Sequence, residues 1–154
     1  MINNQASRIE ENIMATENAI SAIGKLCQFC SQVVDVNQVL PLWIDALPIE
    51  SDSEEAPHVY SFFMELLERY ISCFFDNVVH PCSSSHPVLM NKLPKVVDII
   101  TAALHAEITE EPLTSRMVAG LQVVLGQVPS EMQASMWSTL PNERKMFLKD
   151  MNYV

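Results

Sequence analysis

Cys27 and Cys30 form a C-x-x-C pair, the first residues in this chain whose spacing invites chemistry. Such a pair supplies two thiolates to a zinc ion or closes a redox disulfide, and Cys73, His80, Cys82 and His86 would be its partners from farther along the chain. A structural zinc site sets the pair in a turn, however, and a thioredoxin-type site needs a strand before it. Here both cysteines fall on the apolar seam of a helical pattern, where a free cysteine behaves as a small hydrophobe. They read as core residues, and no metal or other cofactor is expected. His58, with Asp52 and Glu54 close in sequence, has the composition of an acid–base site. Neither a nucleophile elbow, nor His-Glu-x-x-His, nor a phosphate-binding glycine loop accompanies it, so no enzymatic activity is expected.

The remaining candidates are carboxylates. Asp52, Glu54 and Glu55 belong to the acidic stretch Glu50-Ser51-Asp52-Ser53-Glu54-Glu55, just ahead of an apolar helical run. At a helix start they bond orphan N–H groups and complement the dipole, worth a few tenths to about 1 kcal/mol each when exposed. The same group suits attraction of a Lys/Arg-rich segment of a protein partner, where it adds mainly on-rate and specificity. Glu17, Glu65 and Glu68 are further binding candidates, expected to project away from their helical seams. Across the chain 19 acidic against 9 basic side chains leave a formal net charge of −10. That balance repels phosphate backbones and anionic membrane surfaces, so neither nucleic acid nor membrane is an expected partner.

These side chains have to be positioned by helices. The 154 residues suffice for one domain with a core, and 49% apolar residues with only 3 glycines favour helix over sheet. No secretory leader opens the chain and no apolar run approaches the roughly 18 residues of a membrane span, so a reducing, intracellular setting is expected. Ser7-Arg8-Ile9-Glu10 has capping-box spacing and predicts a helix from there, with Ile9, Ile13, Ile20, Ile23, Cys27 and Cys30 as its seam. Gly24 and the flanking alanines would let a neighbour approach closely. A second helix is predicted over about 37–46, with Val39, Leu40, Trp43, Ile44 and Leu47 inward and Pro41 in its first turns, where the missing N–H is tolerated. Val59, Phe62, Phe63, Leu66, Leu67 and Tyr70 mark the third. From Ile71 to Ser85 the period fails, which reads as an irregular loop. Helices return over 91–105 and from Thr109-Glu110-Glu111-Pro112 onward, where Leu113, Met117, Leu121, Val124, Leu125 and Val128 form the seam. Two short helices, from about Ser130 and about Asn142, close the chain to about 151, with Trp137 read as a core residue or a cap on that end rather than a partner contact. Alternating helices at a period of roughly 40 to 50 residues fit a HEAT/armadillo-type repeat. The expected architecture over 1–154 is an all-α solenoid of about three antiparallel helix hairpins, working through its exposed concave surface.

Specific stretches carry a resemblance. The segments "EENIMATENAISAIGKLCQF", "VNQVLPLWIDALPIESDSEEA" and "SHPVLMNKLPKVVDII" resemble the C-terminal HEAT repeats of importin-β (karyopherin-β) superfamily nuclear import receptors, within it the importin beta-3 (importin-five) type. The likeness rests on A-T-E-N-A-x-S-A-x-G-K from Ala15 to Lys25, V-L-P-x-W from Val39 to Trp43, Leu47-Pro48, Glu54-Glu55-Ala56, His86-Pro87 and Leu93-Pro94-Lys95. It weakens after about Thr114 and places Val154 at or near the family's C-terminus, with the first long helix as a B helix that lacks its A partner. Relative to the family pattern there are extra residues between about Arg69 and Ser84, either a loop extension or coding sequence retained in a gene model. The resemblance implies a receptor that binds protein cargo with a basic localisation signal, passes the pore through Phe-Gly nucleoporins and releases cargo to the Ran GTPase. It implies shuttling between cytoplasm and nucleus, with the main Ran-binding repeats toward the missing N-terminal side. Two other readings stand beside it: a generic HEAT scaffold in another assembly, and a metal-binding module built on the cysteine pair.

Overall fold

The structure is a computed structural model that describes residues 9–75, 89 and 91–153. Among them lie seven helices: α1 (Ile13–Phe29), α2 (Val36–Ala46), α3 (Ala56–Phe75), α4 (Leu93–His105), α5 (Leu113–Gln127), α6 (Ser130–Thr139) and α7 (Asn142–Asp150). No strand occurs among the described residues. Helix α1 packs on α2 and α3, α3 on α5, and α4 on both α5 and α7. The long helices α1, α3 and α5 therefore stack side by side as one layer, while α2 lies against α1, and α4 against α5. This is the expected all-α solenoid of helix hairpins, because an amphipathic helix in such a stack buries its apolar stripe only against its neighbours.

One continuous core threads the stack. It runs from Ile20, Leu40, Trp43 and Ile44 through Phe63 and Leu67 to Ile100, Met117 and Leu121, and ends at Met136, Leu140 and Leu148. Trp43 is fully buried, as expected, and its indole Nε1 donates to the carbonyl of Ile20 at 2.8 Å. The close approach at Gly24 is made by that indole rather than by a second backbone: a Cβ on Gly24 would stand 3.0 Å from Trp43 Cζ2.

Four features differ from expectation, two of them helix boundaries. Helix α1 starts at Ile13, preceded by a turn in which Asn12 N–H bonds the Ile9 carbonyl at 2.9 Å, and Ile9 is exposed instead of lying on the seam. Ser7 lies outside the described residues. The buried face of α1 is Thr16, Glu17, Ile20, Ser21, Gly24 and Cys27, rotated from the predicted apolar seam because α2 and α3 both press on that side. Pro41 is the sixth residue of α2, past the turn that tolerates a missing N–H, so one internal hydrogen bond of that helix is absent. Finally, the segment read as a loop from Ile71 is helical up to Phe75, since α3 meets no glycine or proline there; 76–88 lie outside the described residues.

Candidate functional site

The acidic stretch after α2 is organised by a residue 33 to 35 positions upstream. Glu17 was expected to point away from the core; instead it is 0% exposed. Its Oε1 accepts the backbone N–H of Glu50 at 2.9 Å, and Oε2 accepts those of Ser51 at 3.0 Å and Asp52 at 2.7 Å. A chain crossing from α2 to α3 presents N–H groups that no helix satisfies, and a buried carboxylate supplies the acceptors. Glu17 thus closes the loop and has no face toward solvent. Its position has a signal: residues 17, 20, 21 and 24 share one face at helical spacing, and Ile20 belongs to the predicted seam.

Asp52 is likewise buried, and its Oδ1 accepts the N–H groups of Glu54 at 3.2 Å and Glu55 at 3.0 Å. Its own carbonyl takes the N–H of Ala56, so it caps the turn that feeds α3. Glu55 reaches back to α1, where it accepts hydrogen bonds from Lys25 Nζ at 2.7 Å and from Ser21 Oγ. The Lys25 bond first, then the Ser21 bond, hold the Glu55 carboxyl below the usual glutamate value, with partial burial opposing them. Of the six candidate acids, Glu17 and Glu55 therefore fasten the α2–α3 loop to α1, and Asp52 caps the turn within it.

Glu54, Glu65 and Glu68 are placed differently. Glu54 is exposed on the loop. Glu65 and Glu68 lie one turn apart on α3 with side chains 41% and 48% exposed. Glu65 accepts from Gln28 Nε2 at 3.3 Å and has Arg69 Nη2 at 4.0 Å. With Arg69 it edges a cavity of about 460 Å³ whose other walls include Cys27, Leu40, Phe62 and Leu66. Glu68 binds Arg116 of α5 through two bonds, Nε to Oε1 at 3.0 Å and Nη2 to Oε2 at 2.9 Å. That fork holds the Arg116 guanidinium above its ordinary value against some desolvation. On the opposite side, Arg144 of α7 bridges Asp98 of α4 at 2.8 Å and Glu50 of the loop at 3.2 Å. Sequence spacing signalled none of these long-range cations.

Among the described residues the thiol and imidazole candidates do not assemble into a site. Cys27 is buried and burial pushes its thiol up, as suits a core cysteine; Cys30 is half-buried. Among the described residues no three His, Cys, Asp or Glu side chains gather in a way that would hold a metal ion. The side chain of Cys73, and His80, Cys82 and His86, lie outside what is described. His58 sets its ring 5.9 Å from that of Phe29, and its Nε2 is buried without a hydrogen-bond partner. Asp52 and Glu17, the buried carboxylates among the described residues, are both engaged with backbone N–H groups. Among the described residues no helix is long and apolar enough to cross a membrane.

No protein-family model matches the chain. Among curated proteins it is similar to importin subunit beta-3 of Saccharomyces cerevisiae, with 28% identity over 136 residues. The match takes in 88% of this chain but only 11% of that protein, so the chain spans a small part of its relative's length. Together with the helical stack, this likeness supports the resemblance at the level of importin-type helical-repeat proteins.

Proposed function

We propose that this chain is a helical-repeat segment of a nuclear transport receptor of the importin beta-3 type, and that it binds protein cargo through a basic localisation segment. The observation that carries the reading is the similarity to an importin subunit along 88% of the chain. The stacked helices support it, since solenoids bind through extended surfaces of their layers. In this reading the cargo-facing acids are Glu54, Glu65 and Glu68, whose carboxylates keep access to solvent, while Glu17, Asp52 and Glu55 hold the loop that carries Glu54. Arg69 and Arg116 are the cations a Lys/Arg-rich segment would compete with at α3. Contacts with Phe-Gly nucleoporins and the Ran GTPase, and passage between cytoplasm and nucleus, belong to the same reading, with most of those contacts made by other parts of a larger receptor.

The test is fluorescence anisotropy of a Lys/Arg-rich localisation peptide with the purified chain, at low and physiological salt, beside a charge-matched scramble. Salt-sensitive binding that prefers the true signal, and that weakens in a Glu65→Gln, Glu68→Gln variant, supports cargo recognition by this segment. Equal binding of signal and scramble would reduce the contact to nonspecific charge and sink the proposed role.

A further inference from the structure

A chain with net charge −10 neutralises most of the cations it carries. Lys25, Arg69, Lys92, Lys95, Arg116 and Arg144 each lie within 4.0 Å of a carboxylate. Among the described residues Lys145 and Lys149 are the exceptions, and both are on α7. Spaced i, i+4, they share one face of that helix. Glu143 and Asp150 fall outside that row, and no ion pair within 4.0 Å joins either of them to a described cation. Lys145 Nζ donates to the Ser138 carbonyl at 3.3 Å, and Lys149 Nζ stands 6.0 Å from the centre of the Trp137 ring. Neither contact removes the positive charge.

Beside Lys149 lies a groove of about 410 Å³, lined by Leu125, Ser130, Gln133, Ala134, Trp137 and Lys149. Its walls are fixed. Gln133 Nε2 donates to the Leu125 carbonyl at 2.5 Å and the Val128 carbonyl at 3.1 Å, tying α6 to the end of α5. Helix α7 is closed by Tyr153 N–H on the Leu148 carbonyl and Asn152 N–H on that of Lys149, a Schellman arrangement with Asn152 at φ 55°. Trp137 is half-buried and packs against the core. An apolar side chain fits the Leu125, Ala134 and Trp137 surface. A neutral guest would leave the Lys149 ammonium partly desolvated with no counter-charge, and a basic guest would be repelled.

We propose that the groove between α5, α6 and α7 docks a partner peptide in which an apolar side chain is flanked by carboxylates. The apolar residue lies against Trp137, and the carboxylates meet Lys149 and Lys145. This surface is distinct from the acidic face of α3 and does not depend on the cargo reading, because its charge preference is the opposite one.

The indole N–H signals in a ¹H–¹⁵N correlation spectrum of the intact chain give the readout. Trp43 is buried and bonded to Ile20, so its signal reports the fold, whereas that of Trp137 reports the groove. The probe is acetyl-Glu-Glu-Leu-Glu-Glu-amide, titrated to millimolar concentration against analogues with Gln for Glu, Lys for Glu, or Ala for Leu. The expected result is a saturable shift of the Trp137 signal alone, with each analogue and the Lys145→Glu, Lys149→Glu variant weaker by about tenfold. No shift of Trp137, equal binding of the Lys-flanked or Gln-flanked peptide, or a shift that follows protein concentration without peptide would overturn the proposal.

Discussion

Glu17 is the residue on which the acidic loop turns. Its carboxylate takes three backbone N–H groups at 2.7 to 3.0 Å. Hydrogen bonds to a charged acceptor are individually stronger than neutral ones, and deletion leaves three donors without this acceptor, that of Asp52 in a buried place. Glu17→Ala is therefore expected to lose about 2–4 kcal/mol in urea unfolding and to speed amide exchange at 50–52, with Glu17→Gln losing less because one oxygen remains. A loss under roughly 0.5 kcal/mol would show that the loop holds itself. Glu55 gives a prediction in pH. Its folded-state carboxyl titrates below the ordinary value of 4.5, so its contribution is present above that value and is lost as pH falls through the folded value. Glu55→Gln lacks this dependence. The difference in melting temperature between the parent chain and Glu55→Gln should shrink as pH drops below about 4.5, and a difference that stays constant there would remove the Lys25–Ser21–Glu55 latch from the account.

At the scale of the element, two glycines separate helix propensity from packing. Gly24 sits mid-helix in α1, where alanine would gain about 1 kcal/mol of propensity. Its new Cβ would meet the Trp43 ring at 3.0 to 3.2 Å, and that ring is buried and held by Ile20, so it has little room to give. Overpacking of this kind costs about 1–3 kcal/mol, and Gly24→Ala should destabilise on balance. Gly126, near the end of α5, has nothing within 4 Å of an added Cβ, so Gly126→Ala should stabilise by about 0.5–1 kcal/mol. Equilibrium urea titrations of the two variants should move in opposite directions; the same sign for both would mean that propensity alone rules α1. The same contrast explains what the sequence made legible. In α2 and α3 the buried residues are apolar and recur on one helical face, so their phase is readable from spacing. Helix α1 buries Thr16, Glu17 and Ser21 with Ile20 and Gly24, and a reading that follows only apolar residues rotates it toward Ile13 and Ile23. In α3 the aromatic run through Phe75 carries no helix stop, and its loss of period was mistaken for an end. Of the candidate acids, the capping role of Asp52 was readable locally, but the pairs Glu68–Arg116 and Glu50–Arg144 join residues 48 and 94 positions apart, beyond any local pattern.

For the whole molecule, one flank of the stack differs from the rest of the surface. Helix α1 is covered by α2 and α3 on one side, while Met14, Leu26 and Phe29 are exposed on another, with Val33 80% exposed just beyond. Between Ile13 and Val34 the only charged side chains are Glu17, which is buried, and Lys25, which is bound to Glu55. An uncharged apolar face on a chain of net charge −10 sets two forces against each other: burial of that face favours self-association, and long-range repulsion between copies opposes it. Salt screens the second with a Debye length of about 10 Å at 0.1 M and leaves the first largely intact. A helix of 17 residues is only about 25 Å long, so the face falls short of the roughly 800 Å² per partner of a standard stable interface, and the association should be weak. Sedimentation velocity should show a weight-average coefficient that rises with protein concentration, and rises more steeply at 0.5 M than at about 0.05 M salt. Leu26→Glu with Phe29→Glu should restore a monomer without disturbing the Trp43 core, since neither residue is buried. A concentration-independent coefficient at both salts would mean that repulsion wins throughout and that α1 stays uncovered in solution.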